Sequence, residues 1–175
     1  TFLVQGEQLH RDSLGHESVV KAGDVQWTTA GRGIIHAEKP TESFVKRGGT
    51  IEGIQLWLNL PSEKKMIKAN YQHAKREDFK VDISKDKKVK AMIIAGQLNN
   101  QNGIIQTQSP VNAFMIEAKG HQTIGTVDIF DFDPFHQRAG VGILVGDTAY
   151  RENGYATESL ELLRDYCFNY LNLKQ

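Results

Sequence analysis

The sequence predicts a mainly β protein, an antiparallel barrel or sandwich followed by a β-β-α unit, α+β overall. Three observations predict it. Short apolar runs separated by turn signals recur from Thr1 to about Ala118. Two longer strand-like runs follow, Thr123–Asp131 and Ala139–Gly146, joined through Asp133-Pro134-Phe135-His136. Last comes one stretch of helical periodicity, Tyr155 to about Leu173, with Leu160, Leu163, Cys167 and Leu171 on one face.

Taken in order, the strands are expected at Thr1–His10, Val19–Lys21, Val25–Thr28, Ile34–Glu38, Ile51–Leu60, Val89–Ile94, Ile104–Gln108 and Ala113–Ala118. Asp12-Ser13-Leu14-Gly15, Ala22-Gly23-Asp24, Gly48-Gly49 and Asn99 to Gly103 punctuate them, being the residue types that tolerate turn geometry. Lys85, Lys87, Lys88 and Lys90, with Asp82 and Asp86, read as a solvated charged loop. Cys167 lies on the apolar stripe of the helix and reads as a small core residue. The pattern changes within Asn112–Gln122, which sets expected domains of 1–112 and 113–175.

Composition narrows the function classes. The chain has 175 residues and a formal net charge of zero, so no global field draws it to nucleic acid or to an anionic membrane. Its apolar runs stay short of the ~20 residues that span a bilayer. The single cysteine cannot close an internal disulfide, and a reducing cytoplasm is the expected location. Thr1-Phe2-Leu3-Val4 reads as a strand already under way, so the chain is expected to continue upstream.

Two stretches carry chemistry. In the first, Gly31-Arg32-Gly33-Ile34-Ile35-His36-Ala37-Glu38, the His36 and Glu38 side chains are two residues apart. On a strand that spacing sends both to one face, where imidazole and carboxylate can meet one ion. Histidine and carboxylate donors with open positions suit non-haem iron or a similar divalent metal. A hydrogen-bonded strand histidine beside a solvated glutamate fits the same spacing. Of the other histidines, His10 is on the first strand and could swing toward the site, while its neighbours Arg11 and Asp12 suggest a strand end at the surface. In the second stretch, Arg151-Glu152-Asn153-Gly154-Tyr155-Ala156 opens the helix. Glycine there lets backbone approach a phosphate, and the free N–H groups of a helix start attract an anion. An ordinary turn fits this pattern too.

Longer motifs surround both. Gly23-Asp24-Val25-Gln26-Trp27-Thr28-Thr29-Ala30-Gly31-Arg32-Gly33-Ile34-Ile35-His36-Ala37-Glu38, then Gln55-Leu56-Trp57-Leu58-Asn59-Leu60-Pro61, resembles the pirin family of the cupins. Thr1 to Glu7 and His10 to Gly15 extend the likeness upstream, and it fades after Ile93-Ile94-Ala95-Gly96 and Ser109-Pro110-Val111-Asn112. The resemblance implies a cupin-type β-barrel holding iron or a similar metal on three histidines and one glutamate. It also implies quercetin-type dioxygenase or redox co-regulator activity. His36 and Glu38 fall on two of those four ligands. The other two belong to a His-Pro-His-Arg motif expected just before Thr1.

The second resemblance runs from about Phe114 to Gln175. Ile124-Gly125-Thr126-Val127-Asp128-Ile129-Phe130-Asp131-Phe132-Asp133, Arg138-Ala139-Gly140-Val141-Gly142-Ile143-Leu144-Val145 and Gly154-Tyr155-Ala156-Thr157-Glu158-Ser159-Leu160 are similar to the GCN5-related N-acetyltransferases (GNAT). It implies acetyl-CoA as ligand, with Arg151, Asn153, Gly154 and Ala156 around the pyrophosphate and Leu144 to Gly146 beside the pantetheine arm. Asp128, Asp131 or Asp133 would be the base for an amine. Three functions follow as expectations: a pirin-like metal-binding cupin with an incomplete site, a GNAT fragment binding acetyl-CoA, or a chimeric scaffold without turnover. The expected partners are a small-molecule ligand and, through an exposed sheet edge beside the helix, a second copy of the chain.

Overall fold

The computed structural model describes residues 1–83, 90–108, 112–118, 120, 122–133, 135–169 and 171–174, with backbone alone at 131 and 132. Lys85, Asp86, Lys87 and Lys88 of the charged loop, His121 and Pro134 lie outside the described residues. The chain divides into two compact units, Thr1–Asp78 and Phe79–Gln175. The boundary expected at 112/113 coincides instead with the start of a central strand in the second unit.

The first unit holds two antiparallel sheets. One comprises β1 (Phe2–Gln5), β4 (Val25–Thr29), β6 (Glu52–Ile54) and β7 (Asn70–Ala74), in the order β6-β1-β4-β7. The other comprises β2 (Glu7–Asp12), β3 (Glu17–Lys21) and β5 (His36–Pro40), in the order β3-β2-β5. The expected single strand Thr1–His10 is two, broken at Gly6 (φ +89°), where a Cβ would stand 2.7 Å from the Thr50 carbonyl oxygen. Ile51–Leu60 keeps only its first residues in β6, and Trp57 is 85% exposed. A short helix, α1 (Glu42–Arg47), escaped the apolar pattern because only Phe44 is buried on it; the Thr41 hydroxyl caps it by accepting from the Phe44 N–H. The barrel expected from the sequence is represented by separate sheets, with no closed barrel among the described residues.

The second unit is built on one antiparallel sheet: β8 (Lys80–Ile83), β9 (Lys90–Ala95), β12 (Asn112–Ala118), β13 (Gln122–Asp133) and β14 (Arg138–Val145), in the order β14-β13-β12-β9-β8. A small hairpin, β10 (Gln97–Leu98) with β11 (Gln101–Asn102), lies between β9 and β12. The expected strand Ile104–Gln108 reduces to a single bridge from Ile105 to Ala95. Five strands stand behind α2 (Tyr155–Asn169), where the sequence had placed two.

The α2 face is Ser159, Leu163, Tyr166 and Cys167, packed against Phe114, Ile116, Val127 and Ile129 of the sheet. Phe114 meets Tyr166 edge to face, centroids 6.4 Å apart. Each large apolar side chain buried there contributes roughly 1.5–3 kcal/mol. Leu160, expected on this face, is 39% exposed, displaced because Tyr166 carries the contact. The helix stops before Leu173: Leu171 and Leu173 N–H groups turn back onto the Tyr166 and Cys167 carbonyls, with Asn172 left-handed (φ +53°). Among the described residues, no helix is long and apolar enough to cross a membrane.

Candidate functional site

The metal half-site is built on β5. Register pairs Asp12 with His36 and His10 with Glu38, so strand alternation brings all four side chains to one face of the β3-β2-β5 sheet. His36 Nε2 stands 3.9 Å from Glu38 Oε1, and both side chains keep solvent access. Gln26 of β4, 1% exposed, donates its amide to Glu38, while its own Oε1 finds no partner among the described residues.

His10 is not at an exposed strand end. It is fully buried, because β2 is the central strand of its sheet and Tyr71 covers the ring. The His10 and Tyr71 rings stack at 3.9 Å and 6°, and the His36 ring follows at 5.9 Å and 23°. Asp12 anchors His10 from behind, 3.1 Å from Nε2, and His10 Nδ1 is buried without a partner among the described residues. The same carboxylate accepts from the Leu14 and His16 N–H groups and from the His16 ring. Burial alone would raise its pKa; these hydrogen bonds, led by His10, outweigh burial and hold it well below the usual carboxylate range. Burial pushes the Tyr71 phenol up, opposed by its 2.7 Å hydrogen bond with Ser18.

This network was legible only in part. His10-Arg11-Asp12 has the same two-residue alternation as His36-Ala37-Glu38, and that signal could have placed His10 on the inner face. Gln26 and Tyr71 carry no such sign. The remaining described histidines are each held by a carboxylate: His16 by Asp12, His73 by Asp24 at 3.0 Å, His136 by Asp133 at 2.6 Å.

As a metal site the arrangement is half of one. Among the described residues no group of three or more histidine, cysteine or acidic side chains is placed to hold a metal ion. The buried His10 Nδ1 and Gln26 Oε1, without a partner among the described residues, complete no donor set with His36 and Glu38. Two ligands hold an ion weakly, so these residues alone do not fit a resident metal.

The loop that leads into α2 follows β14. Arg151 donates from Nε to the Val145 carbonyl at 3.1 Å and from Nη2 to the Gly146 carbonyl at 3.3 Å, tying the loop to the strand end. Asn153 donates to the Ala149 and Arg151 carbonyls and closes the turn. Gly154 is left-handed (φ +83°) with nothing within 4 Å of where a Cβ would sit, and α2 begins at the next residue. Arg151 and Asn153 thus shape the loop, Gly154 leaves space at the helix start, and Ala156 is the second residue of α2.

Comparison with known proteins falls in line with two pieces. Residues 1–58 match the pirin family model, and residues 60–175, more than half of the chain, match the acetyltransferase (GNAT) domain. The chain belongs to the GNAT domain family and carries a pirin segment. Pirin likeness also runs on into the GNAT-matched stretch, since Pirin-1 of Arabidopsis thaliana is 38% identical over 128 residues, 73% of this chain and 42% of that protein. Pirin-like protein 2 of the same plant is 40% identical over 63% of this chain and 32% of its own length. A crystal structure of quercetin 2,3-dioxygenase from Acinetobacter baumannii superposes with a TM-score of 0.62 at 34% identity, covering 74% of this chain and 44% of the other. The chain spans about a third to a half of the length of the relatives it matches.

Proposed function

We propose that this pirin–GNAT chain is a pirin-like cupin module in which His36 and Glu38 supply half of a divalent-metal site, with iron the metal that suits it. The observation that carries this reading is the placement of both side chains on one sheet face, 3.9 Å apart. The likeness to pirins and to a quercetin 2,3-dioxygenase supports it. Quercetin-type dioxygenation or redox co-regulation is the activity proposed for a completed site, whose further donors would come from outside these residues. In this chain His36 and Glu38 bind, Gln26 orients the carboxylate, and Asp12 with Tyr71 fixes the His10 ring behind His36. Metal titration of the parent and of His36→Ala tests the reading: weak saturable binding by the parent is lost in the variant, and equal binding in both refutes it.

A second reading is favoured by the open helix start after Gly154 and by the GNAT match. Here the second unit binds acetyl-CoA, with Arg151, Asn153, Gly154 and Ala156 at the pyrophosphate. Acetyl-CoA then raises the melting point of the parent, and Gly154→Asp removes that rise by placing a carboxylate where phosphate sits. No rise in the parent refutes the reading.

A further inference from the structure

The second unit contains a cavity that neither functional reading uses. Among the described residues it has a volume of about 280 Å³ and lies between α2 and the β8, β9 and β12 strands of the sheet. Register accounts for it. Ile116 on β12 pairs with Ala91 on β9, and Ala91 pairs with Asp82 on β8. Paired residues share a face, so this row on the α2 side steps from large to small to polar. The neighbouring row, Phe114 with Ile93, keeps its bulk. The helix rests on the bulky side, with Leu163, Tyr166 and Cys167 against Phe114, Ile116 and Val127, and the gap over Ala91 stays open.

The walls come from two directions. On the helix side they are Ser159, Leu162, Leu163 and Tyr166, which recur at helical spacing. Opposite stand Leu98 and Asn99 of the β10–β11 hairpin. Asn99 and Asn100 are both left-handed (φ +45° and +63°), which makes the two-residue turn and lets the Asn99 amide donate to Asp82. Leu162 is 38% exposed, so solvent reaches the cavity along the helix.

The chemistry of these walls selects a ligand. Asp165 is neutralised by Arg164 at 2.9 Å, and Asp82 at the rim is engaged by Asn99. Lys90 pairs with Ile83 and Glu117, which sets it on the opposite sheet face from Ala91. The rest is mainly aliphatic and aromatic. An anion is repelled by Asp82, and a cation enters only by shedding water against hydrocarbon. A neutral molecule suits the space. One buried polar atom then gives it direction. Ser159 is 3% exposed, and its hydroxyl donates to the Tyr155 carbonyl at 2.8 Å, so its oxygen keeps the capacity to accept.

We propose that this cavity binds a neutral aromatic molecule of about the size of indole, whose single N–H or O–H group donates to Ser159. The size follows from volume: an apolar cavity of about 150 Å³ holds one benzene ring, and roughly twice that space holds two fused rings. The site stands whether or not the second unit binds acetyl-CoA, and its test involves neither coenzyme nor metal.

The full chain is titrated with indole, 1-methylindole and indole-3-carboxylate, followed by amide NMR. Indole should shift the amides of residues 91, 114–116 and 159–166 saturably, and the anionic carboxylate should bind at least about tenfold more weakly. Ser159→Ala should weaken indole by about three- to tenfold, the loss of one neutral hydrogen bond. The same variant should leave 1-methylindole unchanged, because that ring has no N–H to give. Ala91→Leu, on the cavity floor, should abolish binding of both neutral rings while keeping the parent's amide dispersion. Should Ala91→Leu fail to fold, the Ser159→Ala comparison decides alone. No saturation up to the solubility limit of indole, shifts confined to other amides, or a Ser159→Ala variant that treats indole and 1-methylindole alike would overturn the site.

Discussion

Replacing Asp12 by alanine removes the anchor of the network behind the half-site. Bonds from four donors are lost, unequally; the His16 ring is 41% exposed and turns to water at little cost. The Leu14 N–H is exposed and turns to water at little cost. The His16 N–H is partly buried and loses about 1 kcal/mol. His10 is the severe case, because both side chains are fully buried and its Nδ1 already lacks a partner. Stranding Nε2 as well costs about 1–3 kcal/mol. The total is about 3 kcal/mol, or a fall of about 12–24 °C in melting temperature for a unit of this size. Tryptophan fluorescence reads it directly, since Trp27 and Trp57 are the only tryptophans and both belong to the first unit. The pH dependence has a definite sign. A carboxylate held low in the folded state stabilises fully above its unfolded pKa of about 4 and progressively less as pH falls below it. Parent and variant urea midpoints should therefore converge in acid. A loss under about 1 kcal/mol at pH 7, or a gap that widens in acid, would refute the account of His10.

Three further outcomes are expected. Gly31→Ala, at φ +50° and with its new methyl driven against the Ile67 carbonyl, should destabilise the first unit by more than about 2 kcal/mol in the same urea assay; parity with the parent would contradict the loop geometry. Cys167, 7% exposed and with its thiol pushed up by burial, should react with a thiol reagent only on unfolding; prompt labelling of the native chain would show the α2 face to be open. The β14 edge, with Val141 and Leu144 exposed, should pair copies of the chain in light scattering at high concentration, and a monomer there would count against it.

What the sequence revealed follows from how each residue is held. The strands β9, β12, β13 and β14 and the helix α2 were legible because one apolar face repeats at strand or helix period through Phe114, Ile116, Val127, Ile129, Leu163 and Cys167. Local pattern failed where the cause was distant. Strands β7 and β8 mix polar with apolar residues and are fixed by pairing with β4 and β9. The His36–Glu38 face could be read from spacing, being a property of one strand. The burial of His10 could not, since it depends on Tyr71, far along the chain.

The central claim is that His36 and Glu38 act together on one metal ion. Titration of the metal-free chain with cobalt(II), followed in the visible spectrum, tests it most directly. Weak saturable binding that shows imidazole ligation, and that is lost in both His36→Ala and Glu38→Ala, is the predicted result. Binding that survives either substitution unchanged would contradict the claim.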